Sequence, residues 1–589
     1  MTYLFNAPER FADEAADGFA AAYGRLVRRV PGGVARRAPL APGTVAVVIG
    51  GGSGHYPAFA GYVGEGLAAG AAMGNVFASP SAQHVCSVAR AVEAGGGVLF
   101  SYGNYAGDAL NFGEAATRLA AEGVACASVP VTDDVASAPD GERRRRRGIA
   151  GGLIVYKVAG AAAREGSELG EVRRLAELAN DRTRSIGVAF SGCTLPGSRE
   201  PLFDVPRGRM AVGMGVHGES GVAERDAVSA DELADLLVEE LWRESPPAAK
   251  RRGGRVAVVL NGLGSVKYEE LFVLYRRVAQ VLDAEGVVAV EPEVGELVTS
   301  FAMAGVSLSL CWLDDDLERL WLAPALAPAL RRSLPAGDFP SAAATGQAQA
   351  AGAASLDRAA EPDVAELGPA HVGSRAAAAT IAHGLRLAAD ALGTAAEQLG
   401  RYDAIAGDGD HGIGMLRGAT AAAKEAARLA GLGSGAGSAL EAAGAAWADA
   451  GGGTSGALWG LGLRTAGAYL GDAVPPDPAA VADAVDAACA AIARAGDVVE
   501  GDKTMLDALA PFCRALREQI ARGATVADAW VAAAPIAREA ADATCALLPR
   551  AGRARLHGER SRGTPDPGAV SLALVVDAAG RAGRGGESG

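Results

Sequence analysis

The strongest constraint on the fold is a change of texture near residue 336. Before it, short β-branched runs repeatedly break into glycine and then into helical stretches: TVAVVIGGGSGH, GGGVLFSYGNYAGD, SIGVAFSG, RVAVVLNGLGS and VSLSLCWLDDD. Strands that end in glycine turns and pass into helices define an α/β region with binding loops at the strand ends. GIAGGLIVYKVAGAAAREG fits as one of the intervening helices. Beyond about residue 367, long Ala/Leu-rich stretches such as AAAATIAHGLRLAADALGTAAEQLGRY predict an all-α domain. Residues 336–367, rich in Ala, Gly, Ser, Pro and Gln without apolar periodicity, read as a flexible linker. The expected organisation is therefore 1–335, 336–367 and 368–579, with a disordered tail over 580–589.

Composition narrows the partners. The formal charge of -14 argues against nucleic acid, and an acidic protein that handles phosphates calls for a divalent cation. Seven scattered cysteines without a CxxC pair suit reduced thiols and a cytoplasmic location. The opening MTYLFNAPERFADEAADGF has acidic residues and no continuous apolar core, so it does not read as a signal peptide. No apolar run is long enough to predict a membrane span.

Three of the seven histidines lie in glycine-dense segments: His55 in GGGSGHYP, His217 in GMGVHGESG and His411 in GDGDHGIG. Glycine lets backbone approach a ligand closely, so three such histidines point to binding sites. The turn Gly50–Gly54 can form an anion nest, but it lacks the lysine of a P-loop and the spacing of GxGxxG. Asp108 in NYAGDALNF follows a strand; it reads either as a helix N-cap or as a catalytic base. Asp403, Asp408 and Asp410 fall within eight residues; they read either as a solvated acidic turn, the commoner fate of Asp/Gly loops, or as oxygen ligands whose mutual repulsion a cation such as Mg2+ would relieve. The EF-hand pattern is absent. GGGTSG and GERSRGTPDPGAVS are further turn candidates, the latter with Arg560 near a rigid DPG segment. The run Arg143–Arg147 reads as a solvated turn in preference to a phosphate patch.

Taken in order, these segments resemble the dihydroxyacetone kinase family. GGGSGHYPAFAGYVGEG, GNVFASPSA, GNYAGDALNF, RRGIAG, FSGCTLPG, GVHGESG and NGLG resemble its ketone-binding domain. AIAGDGDHGIGM, GGTSGALWG, GDKTMLDAL and GERSRGTPDPGA resemble its nucleotide domain, a barrel of antiparallel helices. The expected fold is an α/β ketose-binding region of two subdomains followed by an all-α nucleotide-binding helical barrel.

The resemblance implies an ATP-dependent, Mg2+-assisted kinase of a small ketose. His217 would hold the ketone as a covalent hemiaminal, Asp108 would act as base, and His55 would share the acid–base work. Gly52, Ser53, Gly54 and Gly103 would line the ketose. Asp403, Asp408 and Asp410 would hold the metal. His411, Gly412, Ile413, Gly414, Thr454, Ser455, Gly496, Thr504, Met505, Arg560, Asp566, Pro567 and Gly568 would frame the nucleotide. Fused members of the family are generally dimers, with one chain's nucleotide domain serving its partner's ketose site.

Two departures stand out: Gly103 replaces a common lysine before the NY of the Asp108 motif, and Tyr56 replaces a common glutamate. The loss of a lysine there predicts room for a longer ketose, such as four-carbon erythrulose. Three rival readings are a non-catalytic ketose-binding regulator, an enzyme fed by a phosphocarrier protein, and a lyase acting on flavin nucleotides. The intact aspartates argue against the first. Fusion of the two regions argues against the second.

Overall fold

In the computed structural model, the described residues are 2–198, 200–217, 219, 221–247, 253–332, 370–405, 407, 409–551 and 559–582. The chain divides into two compact units, Met1–Ala359 and Ala360–Gly589. The expected linker over 336–367 lies outside the described residues.

Two six-stranded sheets organise the first unit. The first comprises β1 (Val27–Val30), β2 (Gly33–Arg36), β3 (Ala46–Ser53), β4 (Gly70–Val76), β5 (Val98–Gly103) and β6 (Cys126–Val131), in the order β1-β2-β4-β3-β5-β6. β4, β3, β5 and β6 run parallel, so their carboxyl ends share one edge. Every residue of β3 is buried, which is why this strand reads as an unbroken apolar run without alternation. Helices Ala82–Val92 and Ala106–Ala121 pack on one face. Helix Gly152–Arg164 packs into the opposite core, buried along nearly its whole length.

The second sheet contains β7 (Thr183–Ala189), β8 (Arg209–Val212), β9 (Ala223–Asp226), β10 (Arg255–Gly262), β11 (Val288–Gly295) and β12 (Gly305–Leu313). Its order is β11-β10-β12-β7-β8-β9; β10 and β11 are parallel and the other neighbours antiparallel. Its own apolar core forms against helices Ala230–Arg243 and Tyr268–Ala284.

The second unit is helical. Helices Val372–Asp403, His411–Gly431, Ala436–Gly451, Gly453–Leu470, Pro478–Gly496, Leu506–Ala521, Val526–Ala543 and Pro567–Ala582 each pack on the next, and the last packs on the first. The packing therefore closes into a ring, as expected of a barrel of helices. Small residues permit the close contacts: alanine and glycine together fill half or more of the buried positions in each of these helices except Leu506–Ala521. The final helix continues to Ala582, so residues 580–582 are helical and not part of a tail; residues 583–589 lie outside the described residues. Among the described residues, no helix is long and apolar enough to cross a membrane.

Candidate active site

The parallel register of the first sheet brings the ends of β3, β4, β5 and β6 together, and the loops that follow build one pocket. Gly51, Gly52, His55, Phe59, Gly103, Tyr105, Asp108, Gly148, Tyr156, His217 and Val298 are among its walls. His217 arrives from the second sheet, on the segment between β8 and β9. The two sheets thus build this pocket jointly.

His55 and His217 are both buried, and their rings meet edge to face with centroids 4.6 Å apart. His55 stacks on Phe77 at 4.9 Å, and its Nδ1 lies 2.8 Å from the Thr299 carbonyl. A carbonyl only accepts, so His55 Nδ1 carries the proton and donates it. His217 Nδ1 faces Glu219 Oε1 at 3.3 Å, while the His217 backbone N–H donates to Glu219 Oε2 at 2.9 Å. The Tyr105 ring packs against His217, with centroids 4.4 Å apart.

Asp108 is buried in the first turn of helix Ala106–Ala121, whose N-cap is Tyr105. The aspartate is therefore not the cap; its side chain joins the pocket wall. A side chain on Gly51 would strike Phe59, and one on Gly52 would strike the backbone at Phe77–Ala78. The glycines are needed for this close packing. Ser53 and Gly54 were expected to line the ketose, but they are not among the pocket walls. The Ser53 hydroxyl instead donates to the Gly74 carbonyl, and Gly54 backs onto Phe77 and Phe301.

The arginine run also departs from expectation. Arg143–Arg145 lie on a turn, but Arg146 and Arg147 are buried, with Arg147 paired to Asp134. Composition alone cannot separate the two halves of such a run, because the difference lies in which side chains have buried carboxylates to meet.

In the helical unit, His411 opens its helix and is buried; its Nε2 lies 2.9 Å from Ser571 Oγ and its Nδ1 3.4 Å from Ser455 Oγ. The His411 backbone N–H reaches Asp403 Oδ2 at 3.4 Å. A Cβ on Gly414 would lie 3.4 Å from the Gly451 carbonyl, and one on Gly568 3.4 Å from Met505 Cβ. The glycines thus bring helix termini together. Asp566 caps the last helix, accepting the Ala569 N–H at 2.7 Å. Asp507 knits the GDKTM turn by accepting the Thr504 N–H at 2.7 Å, and Lys503 Nζ donates to the Ser561 carbonyl at 2.6 Å.

Burial pushes the Asp410 carboxyl up to about 7, with the neighbouring Asp403 carboxylate adding to the rise. Burial also pushes Asp566 up to about 7, opposed by its bond from Ala569 and raised further by Asp403. Burial lowers the His411 imidazole. Half-buried carboxylates that repel one another form an oxygen donor set suited to a hard divalent cation. Asp408 lies outside the described residues; among those described, no three acidic, His or Cys side chains already form a ligand cluster.

Gly412 packs on the Ala396 carbonyl, and Gly496 ends its helix beside Val498. Thr454 and Ser455 lie in the first turn of helix Gly453–Leu470, and Pro567 begins the last helix. Ile413 and Arg560 are exposed. Sequence reading missed Tyr105, Tyr156, Thr299, Glu219, Arg147, Asp507 and Ser571. Glu219 had an available signal as an acidic residue two positions after the histidine of VHGES, and Tyr105, Arg147 and Asp507 lie within the segments GNYAGDALNF, RRGIAG and GDKTMLDAL.

Comparison with known proteins identifies the family. Residues 17–329 match the Dak1 domain and residues 405–581 the DAK2 domain. The L-erythrulose kinase of Pectobacterium atrosepticum is 54% identical over 98% of this chain and 96% of its own. The D-erythrulose kinase of Mycolicibacterium smegmatis is 51% identical over 98% of this chain and 97% of its own. The crystal structure of the C. freundii dihydroxyacetone kinase with AMP-PNP and Mg2+ is similar with a TM-score of 0.51 and 29% identity, covering 98% of this chain and 99% of that one. The chain belongs to the dihydroxyacetone kinase family.

Proposed function

We propose that this protein phosphorylates a hydroxyl of a small ketose, using ATP, and that erythrulose is preferred to dihydroxyacetone. The observation that carries the reading is the pair of buried histidines crossing in one pocket beside a buried aspartate. With Nδ1 turned to Glu219, His217 addresses a carbonyl through Nε2. The Nε2 lone pair forms a bond to the carbonyl carbon and the C=O π pair moves to oxygen, which takes up one proton. The Glu219 carboxylate neutralises the ring's new positive charge. A polyol such as glycerol offers no electrophilic carbon and is rejected.

Asp108 accepts the proton of the reacting hydroxyl as its oxygen attacks phosphorus. His55, holding its proton on Nδ1 against Thr299, offers Nε2 to a substrate hydroxyl. Asp403, Asp408 and Asp410 would hold Mg2+, which when bound offsets phosphate charge. His411–Gly414, Thr454, Ser455, Thr504, Met505 and the Asp566–Gly568 turn would frame the nucleotide.

Erythrulose is favoured because Gly103, where the family commonly has lysine, puts no side chain into the pocket wall, and because both similar curated relatives above are erythrulose kinases. Steady-state comparison tests this: kcat/KM for one erythrulose enantiomer should exceed that for dihydroxyacetone, and equal or lower values for both would contradict it. The reading includes a cytoplasmic homodimer with sites served across chains. Mixing inactive Asp108→Asn and Asp403→Ala chains should then restore activity; no recovery would contradict cross-chain service.

A further inference from the structure

Behind His217 and Glu219 lie two charged side chains, Arg147 and Asp134, that the mechanism above does not use. Arg147 donates through both Nε and Nη2 to Asp134 Oδ2, at 3.0 and 2.8 Å. Its Nη1 lies 3.9 Å from Glu219 Oε2, and Glu219 in turn meets both the backbone N–H and Nδ1 of His217. All four side chains are buried. The backbone fixes the far end: the Asp134 N–H donates to the Arg147 carbonyl, and the Arg147 N–H donates to Ser137 Oγ. The sequence also keeps the channel open. A Cβ on Gly215 would lie 2.2 Å from Glu219 Oε2 and 2.9 Å from Arg147 Nη1, so any side chain there would collide with the contact.

We propose that Arg147, anchored by Asp134, is a positioning residue that holds Glu219 against His217 Nδ1 and so keeps Nε2 as the nitrogen presented to the ketone. This rests on the reading of His217 as the covalent ketose ligand. The physical basis is tautomer control. A neutral imidazole has one N–H and one lone pair, and an anionic acceptor at Nδ1 fixes the N–H there. Glu219 alone could rotate away. A buried guanidinium 3.9 Å away on its other side attracts the carboxylate and keeps it in place. The same carboxylate stabilises the positive ring after the N–C bond has formed.

The test uses the full chain labelled with 15N-histidine and dihydroxyacetone labelled with 13C at its ketone carbon. A one-bond 13C–15N coupling to His217 reports the hemiaminal directly, whereas a hydrate of the free ketose cannot produce it. The wild type should show the coupling at Nε2. Arg147→Met and Glu219→Gln should lose most of it, lower the Nδ1–H population of the His217 ring, and bind the ketose about tenfold or more weakly. Arg147→Lys keeps a charge for Asp134 without the forked reach, and should recover part of the coupling.

Retention of full coupling and affinity in Arg147→Met overturns the proposal. If that variant does not fold because Asp134 is left buried without its partner, Arg147→Lys and Glu219→Gln decide by the same two readouts. Absence of coupling in the wild type overturns the capture reading itself, and the proposal with it.

Discussion

His55 and His217 cross at 89° with ring centroids 4.6 Å apart, and each has its Nδ1 turned outward from the pair, to Thr299 and Glu219 respectively. In the proposed reaction the two rings divide the work, one to bond the ketone and one to hydrogen-bond it. His55→Ala should lower kcat on the order of 100-fold while changing KM much less, because it removes acid–base help without removing covalent capture. Steady-state kinetics check this. A loss confined to KM would assign His55 to binding alone.

Gly103 sets the width of the same pocket. A Cβ there would lie 3.0 Å from the Tyr105 ring, which itself packs on His217. Gly103→Lys should lower kcat/KM for erythrulose about tenfold more than for dihydroxyacetone, as the longer ketose loses its space first. Parallel assays of the two substrates provide the measurement, and an equal loss on both would place the discrimination elsewhere.

The helical unit should show a pH-dependent response to metal. Asp410 and Asp566 have folded-state values of about 7 against an ordinary 3.8, so between these limits the folded protein holds protons that the unfolded chain has released. Without metal, stability from these groups is full below 3.8 and is lost as pH rises to about 7. Mg2+ competes with the same protons, so its thermal stabilisation should be greater at about pH 8 than at about pH 6. Thermal melts with and without MgCl2 test this; a stabilisation independent of pH would contradict it.

Lys157 gives the opposite sign. Its Nζ is buried and donates to the Leu320 carbonyl at 2.7 Å; burial lowers its pKa from 10.5 to about 7, and Arg332 adds to the fall. The folded protein therefore sheds a proton that the unfolded chain keeps, and stability falls as pH drops from 10.5 towards 7. Lys157→Met should raise the melting temperature near neutral pH, by about 2–4 °C for each kcal/mol of burial cost removed, and gain less at higher pH. A lower melting temperature at every pH would show that the Leu320 bond outweighs the cost of burial.

Much of this was legible in the sequence because strand ends write themselves as apolar runs that break into glycine. His55, Gly103 and Asp108 all follow that rule, at the ends of β3 and β5. The Ala/Leu periodicity similarly announced the helices, although not their closure, which depends on packing between Val372–Asp403 and Pro567–Ala582 across most of the unit. Arg147 was misread, and the Ser53 hydroxyl has a partner that the sequence did not announce, for a common reason. Whether a polar side chain faces a ligand, a carbonyl or a buried carboxylate is decided by partners distant in sequence: Gly74 for Ser53, and Asp134 and Glu219 for Arg147.

The most direct test of the central claim is ATP-dependent phosphorylation of dihydroxyacetone, D-erythrulose, L-erythrulose and glycerol by wild type and His217→Ala. The account predicts turnover of at least one ketose, none of glycerol, and markedly weaker ketose binding with loss of turnover in the variant. Ketose binding without phosphorylation in the wild type, or undiminished turnover by His217→Ala, would contradict it.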